Sequence, residues 1–300
     1  MDIKQLHYFC TIVEEGQITR AAKKLLMAQP PLSQQLKQLE EELGVILFER
    51  TGKRMELTVQ GKILYKRAIS LLNQVSETIV EVKESGEGIS GTVSIGTVQT
   101  CFSYLPQKLL EFRKIYPHVT FQLRSGDTYR VSQLVKNRET EIGIVRFPLE
   151  MEGFSEIRLP IEPYVALYPR AWGTESGLPT SIKMKELTDV PLLLLHRVNG
   201  IGQFELIVNE CKRHGFNPKV ICECPDASIL LTLVASGIGV TIVPKSTILL
   251  HHLDTISIVE LEDSSIQSES SLIWLKERYI SKGARHLIEM FLDDRHYNAN

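Results

Sequence analysis

Apolar residues recur at helical spacing from the start of this 300-residue chain to about Gly91, and beyond that point they gather in short β-rich runs. The first pattern is carried by Leu6, Phe9, Cys10 and Val13, by Ala21, Ala22 and Leu25, and by Leu32, Leu36, Leu39 and Leu43. The second alternates Thr92 to Ile95, Val119 to Leu123 and Ile142 to Val145 with amphipathic Leu105 to Tyr116 and Thr128 to Lys136. Such alternation predicts βα units feeding a mostly parallel sheet. The run from Glu84 to Gly91 holds three glycines and two serines, which places a joint there. A further series follows the extended run Pro163 to Pro169: Pro191 to Leu195, Phe204 to His214, Val220 to Glu223, Ser228 to Ser236 and Val240 to Pro244. Ser271 to Leu275 and a closing helix over Ser281 to Leu292 bring the chain back, as expected for two lobes joined by two crossovers. Ligands of such lobes bind at strand carboxyl ends and helix N-termini.

Bulk charge assigns no partner, because the formal net charge is only −2. No apolar run is long enough to span a bilayer, so no membrane partner is expected. Asp2, Glu14 and Glu15 interrupt the first residues, which argues against a secretory signal and predicts a cytoplasmic protein with reduced thiols. The five cysteines are Cys10, Cys101, Cys211, Cys222 and Cys224, and the last two are not spaced as zinc or thioredoxin ligands. His251 and His252 are adjacent and diverge, so no metal is expected and no cofactor is assigned.

Charge read locally is informative. Between residues 17 and 67, ten bases against five acids leave +5, with Glu40, Glu41 and Glu42 gathered at one helix end. Ile18 to Leu25, a connector at Leu26 to Ala28, and Gln29 to Leu43 read as two helices and a tight turn. Ala21 and Ala22 permit close approach, and Leu25, Leu32 and Leu36 close a small core. Gln29, Ser33, Gln34 and Lys37 are left pointing away. Pro30 and Pro31 suit a first helical turn. A helix presenting Gln and Ser at its N-terminal end suits base edges and phosphates, and the bases suit phosphate neutralisation. Phe48 to Leu57 reads as a β-turn-β wing carrying Arg50, Thr51, Lys53 and Arg54, suited to the DNA backbone or a narrow minor groove.

Any amphipathic helix pair with a solvated basic face would share the periodicity, but the ordered residues are more specific. Leu6 to Phe9, Ile18 to Ala22, Ala28 to Ser33, Leu39 to Gly44, Leu47 to Arg50 and Leu57-Thr58 before Gly61 resemble the N-terminal region of LysR-type transcriptional regulators. The resemblance extends along the whole chain in length and layout. It implies an all-α winged helix-turn-helix with a long linker helix, then an α/β, two-lobed, periplasmic-binding-protein-like effector domain. The expected boundaries are 1–58 for DNA binding, 59–88 for the linker, and 89–300 for the effector domain. Lobe I of that domain is expected at about 89–162 and 268–300, and lobe II at about 163–267. The expected DNA contacts are Thr19, Arg20, Gln29, Pro30, Ser33, Gln34, Lys37, Arg50, Thr51, Lys53 and Arg54. Gln34 departs from the family, which often carries Arg there.

From Thr58 to Glu84 the stripe Leu64, Ala68, Leu71, Val75, Ile79 and Val82 asks for a partner over roughly 40 Å. Burial against the same chain competes with pairing of two such helices, which would set two winged helices on a partly palindromic double-stranded site. The resemblance implies that linker-helix homodimer, commonly a homotetramer built from two dimers, and contact with RNA polymerase. It also implies activation of a neighbouring or divergent operon and repression of the regulator's own gene.

Thr97 to Phe102 lies between a strand and a helix, where hydroxyls and N–H groups hold an anion or merely cap the helix. The resemblance places effector contacts here, at Thr97, Thr100 and Cys101, and at Thr128, Arg146 and the Asn199 to Gln203 loop, including Gly202 and Gln203. Arg146 follows the apolar run Ile142 to Val145, so its charge needs a carboxylate, either from a small anionic effector or from the protein. Gly237 to Pro244 reads as a tight turn into a strand, not a nucleotide site. Cys101 lacks an evident resolving cysteine for redox use. No catalytic triad or supported carboxylate pair points to an enzyme. A solute-binding protein would share the two lobes but not the helix-turn-helix.

Overall fold

The structure, a computed structural model, describes residues 1–51, 54–84, 89–173, 177–196, 202–250 and 254–297. The chain divides into two compact units, Met1–Gly86 with Asn137–Glu139, and Glu87–Lys136 with Thr140–Asn300.

The first unit opens with α1 (Ile3–Glu15). Asp2 caps it by accepting the Gln5 N–H at 2.7 Å, while the Gln5 side chain accepts the Asp2 N–H. Gly16 ends it at φ 62, a left-handed cap that suits glycine. Next come α2 (Ile18–Lys24) and α3 (Gln29–Leu43), the latter with its prolines in the first turn, where missing N–H groups leave no intrahelical bond unmade. The antiparallel hairpin β1 (Phe48–Thr51) and β2 (Arg54–Leu57) pairs Phe48 with Leu57. It is tied to the end of α1 through the Met55 N–H on the Gly16 carbonyl. Phe9, Ile12, Ala21, Leu32, Leu39 and Leu47 fill one core. The long helix α4 (Val59–Glu84) starts where the Thr58 hydroxyl accepts the Gly61 N–H. A Cβ on Gly61 would stand 2.2 Å from the Leu47 carbonyl oxygen, so only glycine allows that approach. Leu71, Ile79, Val80 and Val82 of α4 are exposed. Among the described residues no helix is long and apolar enough to cross a membrane.

The second unit has two lobes. Lobe I is a five-stranded sheet built from β3 (Gly91–Val98), β4 (Val119–Gly126), β5 (Ile142–Arg146) and β6 (Phe154–Arg158), with β14 (Ser270–Leu275) returning late in the chain. Its order is β4-β3-β5-β14-β6, with α5 (Pro106–Ile115), α6 (Thr128–Lys136) and α9 (Lys282–Tyr297) packed on it. Lobe II orders β11 (Thr241–Pro244), β7 (Glu162–Pro169), β12 (Ile256–Leu261) and β8 (Ser181–Ile182), with β13 (Gln267–Ser268) beside β7. The parallel pair β9 (Pro191–Leu195) and β10 (Lys219–Cys224) joins through a Leu192 to Val240 bridge. Helices α7 (Gln203–Arg213) and α8 (Ala227–Ala235) complete it.

The mostly parallel sheets expected from the βα pattern are in fact mixed. β3 pairs in parallel with β4 and β5, but β14 runs antiparallel to β5 and β6, and β7 runs antiparallel to β11 and β12. β7 opens lobe II after the first crossover and β14 follows the second, so the strands next to both crossovers reverse direction. Residues 85–88 of the joint expected from Glu84 to Gly91, and the pair His251 and His252, lie outside the described residues.

Candidate DNA-reading and effector-binding sites

In the first unit, α3 buries Leu32, Leu36 and Leu39 and turns its opposite face outward. Gln29, Pro30, Gln34 and Lys37 are exposed there and Ser33 is half-buried, while Thr19 and Arg20 are exposed on α2. These helical candidates are therefore accessible or partly accessible to a partner. Lys37 spans one turn to Glu41 at 3.3 Å. Lys24 is committed internally, to Glu14 at 3.1 Å and Glu15 at 3.0 Å, and hydrogen bonds to those carboxylates raise its pKa. Glu40 is structural, its Oε1 accepting the Leu47 N–H at 2.7 Å. Arg50, Thr51 and Arg54 belong to the hairpin strands, and Lys53 lies outside the described residues. Leu26, in the turn, has φ 53 and is 94% exposed, an unusual conformation for a branched apolar residue.

In the second unit a cavity of about 680 Å³ lies between the lobes. Lobe I contributes Val98 to Thr100, the Ser125 to Arg130 segment and Arg146, and lobe II contributes Leu195, His196, Gln203 and Pro225 to Ala227. These residues stand at the carboxyl ends of β3, β4, β5, β9 and β10 and at the starts of α6, α7 and α8, where α/β lobes hold ligands. Two of those helix starts carry their own carboxylates. Asp127 Oδ1 accepts the Arg130 N–H at 2.7 Å, and Asp226 Oδ1 accepts those of Ser228 and Ile229.

Gln99 crosses the gap. Its Nε2 donates to Asp226 Oδ2 at 2.8 Å and its Oε1 accepts the Ala227 N–H at 2.9 Å, so one side chain ties lobe I to the start of α8. The hydrogen bond from Gln99, followed by that from the Ile229 N–H, holds the Asp226 carboxyl below its ordinary pKa.

Arg146 is 3% exposed, and the carboxylate its charge requires comes from the protein. Its Nη1 and Nη2 each donate to Glu162 Oε1 at 3.4 Å, Nη2 donates to the Thr100 carbonyl at 2.9 Å, and Nε donates to Thr100 Oγ1 at 3.2 Å. Glu162 also accepts from the Ser246 N–H and hydroxyl and from the Tyr104 hydroxyl. Of the two sources left open for the counter-charge of Arg146, an anionic effector or the protein, Glu162 of the protein supplies one, and Arg146 still lines the cavity.

The other effector candidates separate by location. Thr100, Thr128 and Gln203 line the cavity, and the Thr128 hydroxyl donates to the Arg146 carbonyl at 2.7 Å. Gly202 precedes α7 and is buried. Thr97 lines a different, smaller cavity. Cys101 is fully buried in the lobe I core, where desolvation raises its thiol pKa, so the expectation that it faces the cleft is corrected. Asn199 to Ile201 lie outside the described residues. Gln99, Glu162 and Asp226 were missed as site residues. Asp226 was visible as an N-cap before a helix, whereas nothing local marks Glu162.

The chain matches the bacterial regulatory helix-turn-helix protein, lysR family, over residues 3–62 and the LysR substrate binding domain over residues 86–295. It is 36% identical over 294 residues to the HTH-type transcriptional regulator BsdA of Bacillus subtilis (strain 168), covering 97% of this chain and 100% of that protein. It is 30% identical to the HTH-type transcriptional regulator AlsR of the same organism, covering 93% of this chain and 92% of that protein. Its fold is similar to that of full-length CbnR complexed with its target DNA, with a TM-score of 0.76 and 24% identity over 96% of this chain and 98% of that one. With a helix-turn-helix whose polar face is exposed and a cavity at the strand ends of a two-lobed domain, the chain belongs to the LysR family of DNA-binding, effector-responsive transcriptional regulators.

Proposed function

We propose that Thr19, Arg20, Gln29, Pro30, Ser33, Gln34 and Lys37 are the helical part of the DNA contact, that Arg50 to Arg54 form its wing, and that the interlobe cavity takes the effector. In this reading residues 1–58 bind DNA, 59–88 link, and 89–300 sense, in the cytoplasm. The observation that carries it is the coincidence of a cavity of about 680 Å³ with the strand ends and helix starts of both lobes. A small organic carboxylate suits the cavity through Arg130 and the Thr100 hydroxyl, with Arg146 kept for its pair with Glu162 and the Thr128 hydroxyl for the Arg146 carbonyl. The exposed apolar residues of α4 support a homodimer, or a homotetramer of two dimers, on a partly palindromic site, with RNA polymerase as the downstream partner.

The test combines a thermal-shift screen of small carboxylates and their neutral amides with gel retardation of the upstream DNA at two salt concentrations. Carboxylates should raise the melting temperature, Arg130→Ala should abolish that shift, and retardation should weaken with salt. Equal shifts from the amides would overturn the anionic effector, and salt-insensitive retardation would overturn the DNA face.

A further inference from the structure

The charges of α4 run against the helix that carries them. Its first third holds Lys62, Lys66 and Arg67, no acid occurs from Leu57 to Ser76, and the acids of the helix begin only at Glu77. Aligned peptide dipoles leave the N-terminal end of a helix partly positive and its C-terminal end partly negative, so cations are unfavourable at the start and acids at the finish. Lys62 is the fourth helical residue, close to the positive pole. Lys62 and Lys66 are also four positions apart, the spacing at which like charges on a helix repel.

Nothing in the fold offsets either cost. Leu64, Tyr65, Ala68 and Ile69 pack on the core of the first unit, whereas Lys62, Lys66 and Arg67 are exposed. Among the described residues no carboxylate pairs with any of these three cations. In contrast, Lys24 is held by Glu14 and Glu15, and Lys37 by Glu41. The start of α4 is also fixed in place. Strand β2 begins at Arg54 and ends at Leu57, and the Thr58 N–H then donates to the Leu47 carbonyl at 3.1 Å. The Thr58 hydroxyl that accepts the Gly61 N–H donates to the Ile46 carbonyl at 2.8 Å. Lys62 and Lys66 therefore follow the hairpin directly, on a helix anchored to the residues that enter it.

We propose that the DNA contact continues past the wing onto the linker helix, where Lys62 and Lys66 neutralise backbone phosphates beside the site. The inference rests on the reading of α2, α3 and the hairpin as the DNA-contacting part. A polyanion turns the repulsion between the two lysines into a joint attraction, which accounts for cations kept unpaired at an unfavourable end of a helix. Phosphate contacts carry no base preference, so the pair adds affinity and fixes orientation while sequence choice stays with α3. The acids from Glu77 onward confine the contact to the first turns, because a duplex lying further along α4 would meet like charge.

Fluorescence anisotropy of the full chain on labelled upstream DNA and on an unrelated duplex, across a salt series, tests this contact. Lys62→Ala and Lys66→Ala should each lower the slope of log affinity against log salt by about one on both duplexes, and the double variant by about two. Between roughly 50 and 200 mM salt the double variant should then lose about tenfold less affinity than wild type. Its melting temperature should stay level or rise, since both changes relieve repulsion and introduce a better helix former. Lys62→Gln with Lys66→Gln, which keeps most of each side chain, should give the same slopes. Arg20→Ala is the control for the DNA face itself. A lowered slope for Arg20→Ala beside unchanged slopes for both double variants would overturn the linker contact alone, whereas salt-insensitive binding by wild type would overturn the DNA face as well. Loss of affinity confined to the upstream DNA would also overturn the proposal, because a phosphate contact acts on both duplexes. So would full DNA affinity with lost promoter activation, which would assign the lysines to a protein partner.

Discussion

Glu162 stands between the two lobes' chemistry: its Oε1 lies 3.4 Å from both terminal nitrogens of Arg146, and its two oxygens also accept from Ser246. Arg146 ends β5 in lobe I, whereas Glu162 and Ser246 flank β7 and β11 in lobe II. Removing one partner of a buried pair strands the other charge away from water. Glu162→Ala should therefore destabilise the effector-binding unit by about 3 kcal/mol, and replacing both residues with methionine should recover most of that loss. Urea unfolding of the three proteins checks this. A loss below about 1 kcal/mol for the single variant would class the pair with weak surface ion pairs.

The Gln99 bridge predicts a pH signature. Asp226 has a carboxyl pKa lowered in the folded chain, chiefly by Gln99, so its stabilisation is complete above the ordinary carboxylate pKa. It disappears as the pH falls through the lowered folded value, where the group is protonated whether folded or unfolded. Gln99→Ala should destabilise the unit by about 1 kcal/mol at neutral pH, and the gap from wild type should narrow in acid. Denaturation at a series of pH values reads the difference. A gap that widens on acidification would refute the assignment.

Much of this architecture is legible from hydrophobic period alone, because α1 to α4 each turn a regular apolar face to one small core. Strands β6 and β12 escape that reading. Each buries only part of one face, and Glu156, Arg158 and Glu260 interrupt their apolar residues. Strand direction escapes too, since pairing is decided by long-range return of the chain and leaves no trace in local period. In the site, the need of Arg146 for a carboxylate is plain from the run before it, but Glu162 is chosen by a crossover. Gln99 meets Asp226 across 127 positions, a partnership that no spacing rule reaches.

Leu26 offers a test of backbone strain. An L residue in the left-handed region pays roughly 1–2 kcal/mol, and this side chain, 94% exposed, gains little packing in return. Leu26→Asn should slow hydrogen exchange of the α2 and α3 amides by roughly threefold, because Asn tolerates that conformation. Unchanged or faster exchange would mean that Leu26 makes a compensating contact. If the variant is more stable yet binds DNA less well, the turn residue serves recognition at the expense of stability.

Lys24 and Arg20 separate basic residues that face outward from those held by the fold. Both sit on α2, but Lys24 is bound by Glu14 and Glu15, whereas Arg20 is exposed and belongs to the proposed contact surface. A side chain that neutralises a phosphate releases a counterion, and its removal lowers the slope of log affinity against log salt by about one. Arg20→Ala should show that decrease on specific and non-specific DNA alike, while Lys24→Ala should leave the slope unchanged. Gln29→Ala should behave differently again, relaxing discrimination at one base pair by about 1–3 kcal/mol with the salt slope intact. Fluorescence anisotropy across a salt series distinguishes the three. A slope that falls for Lys24→Ala would show that DNA draws its ammonium away from Glu14 and Glu15, and the charge surface of α2 would then have to be redrawn around both residues.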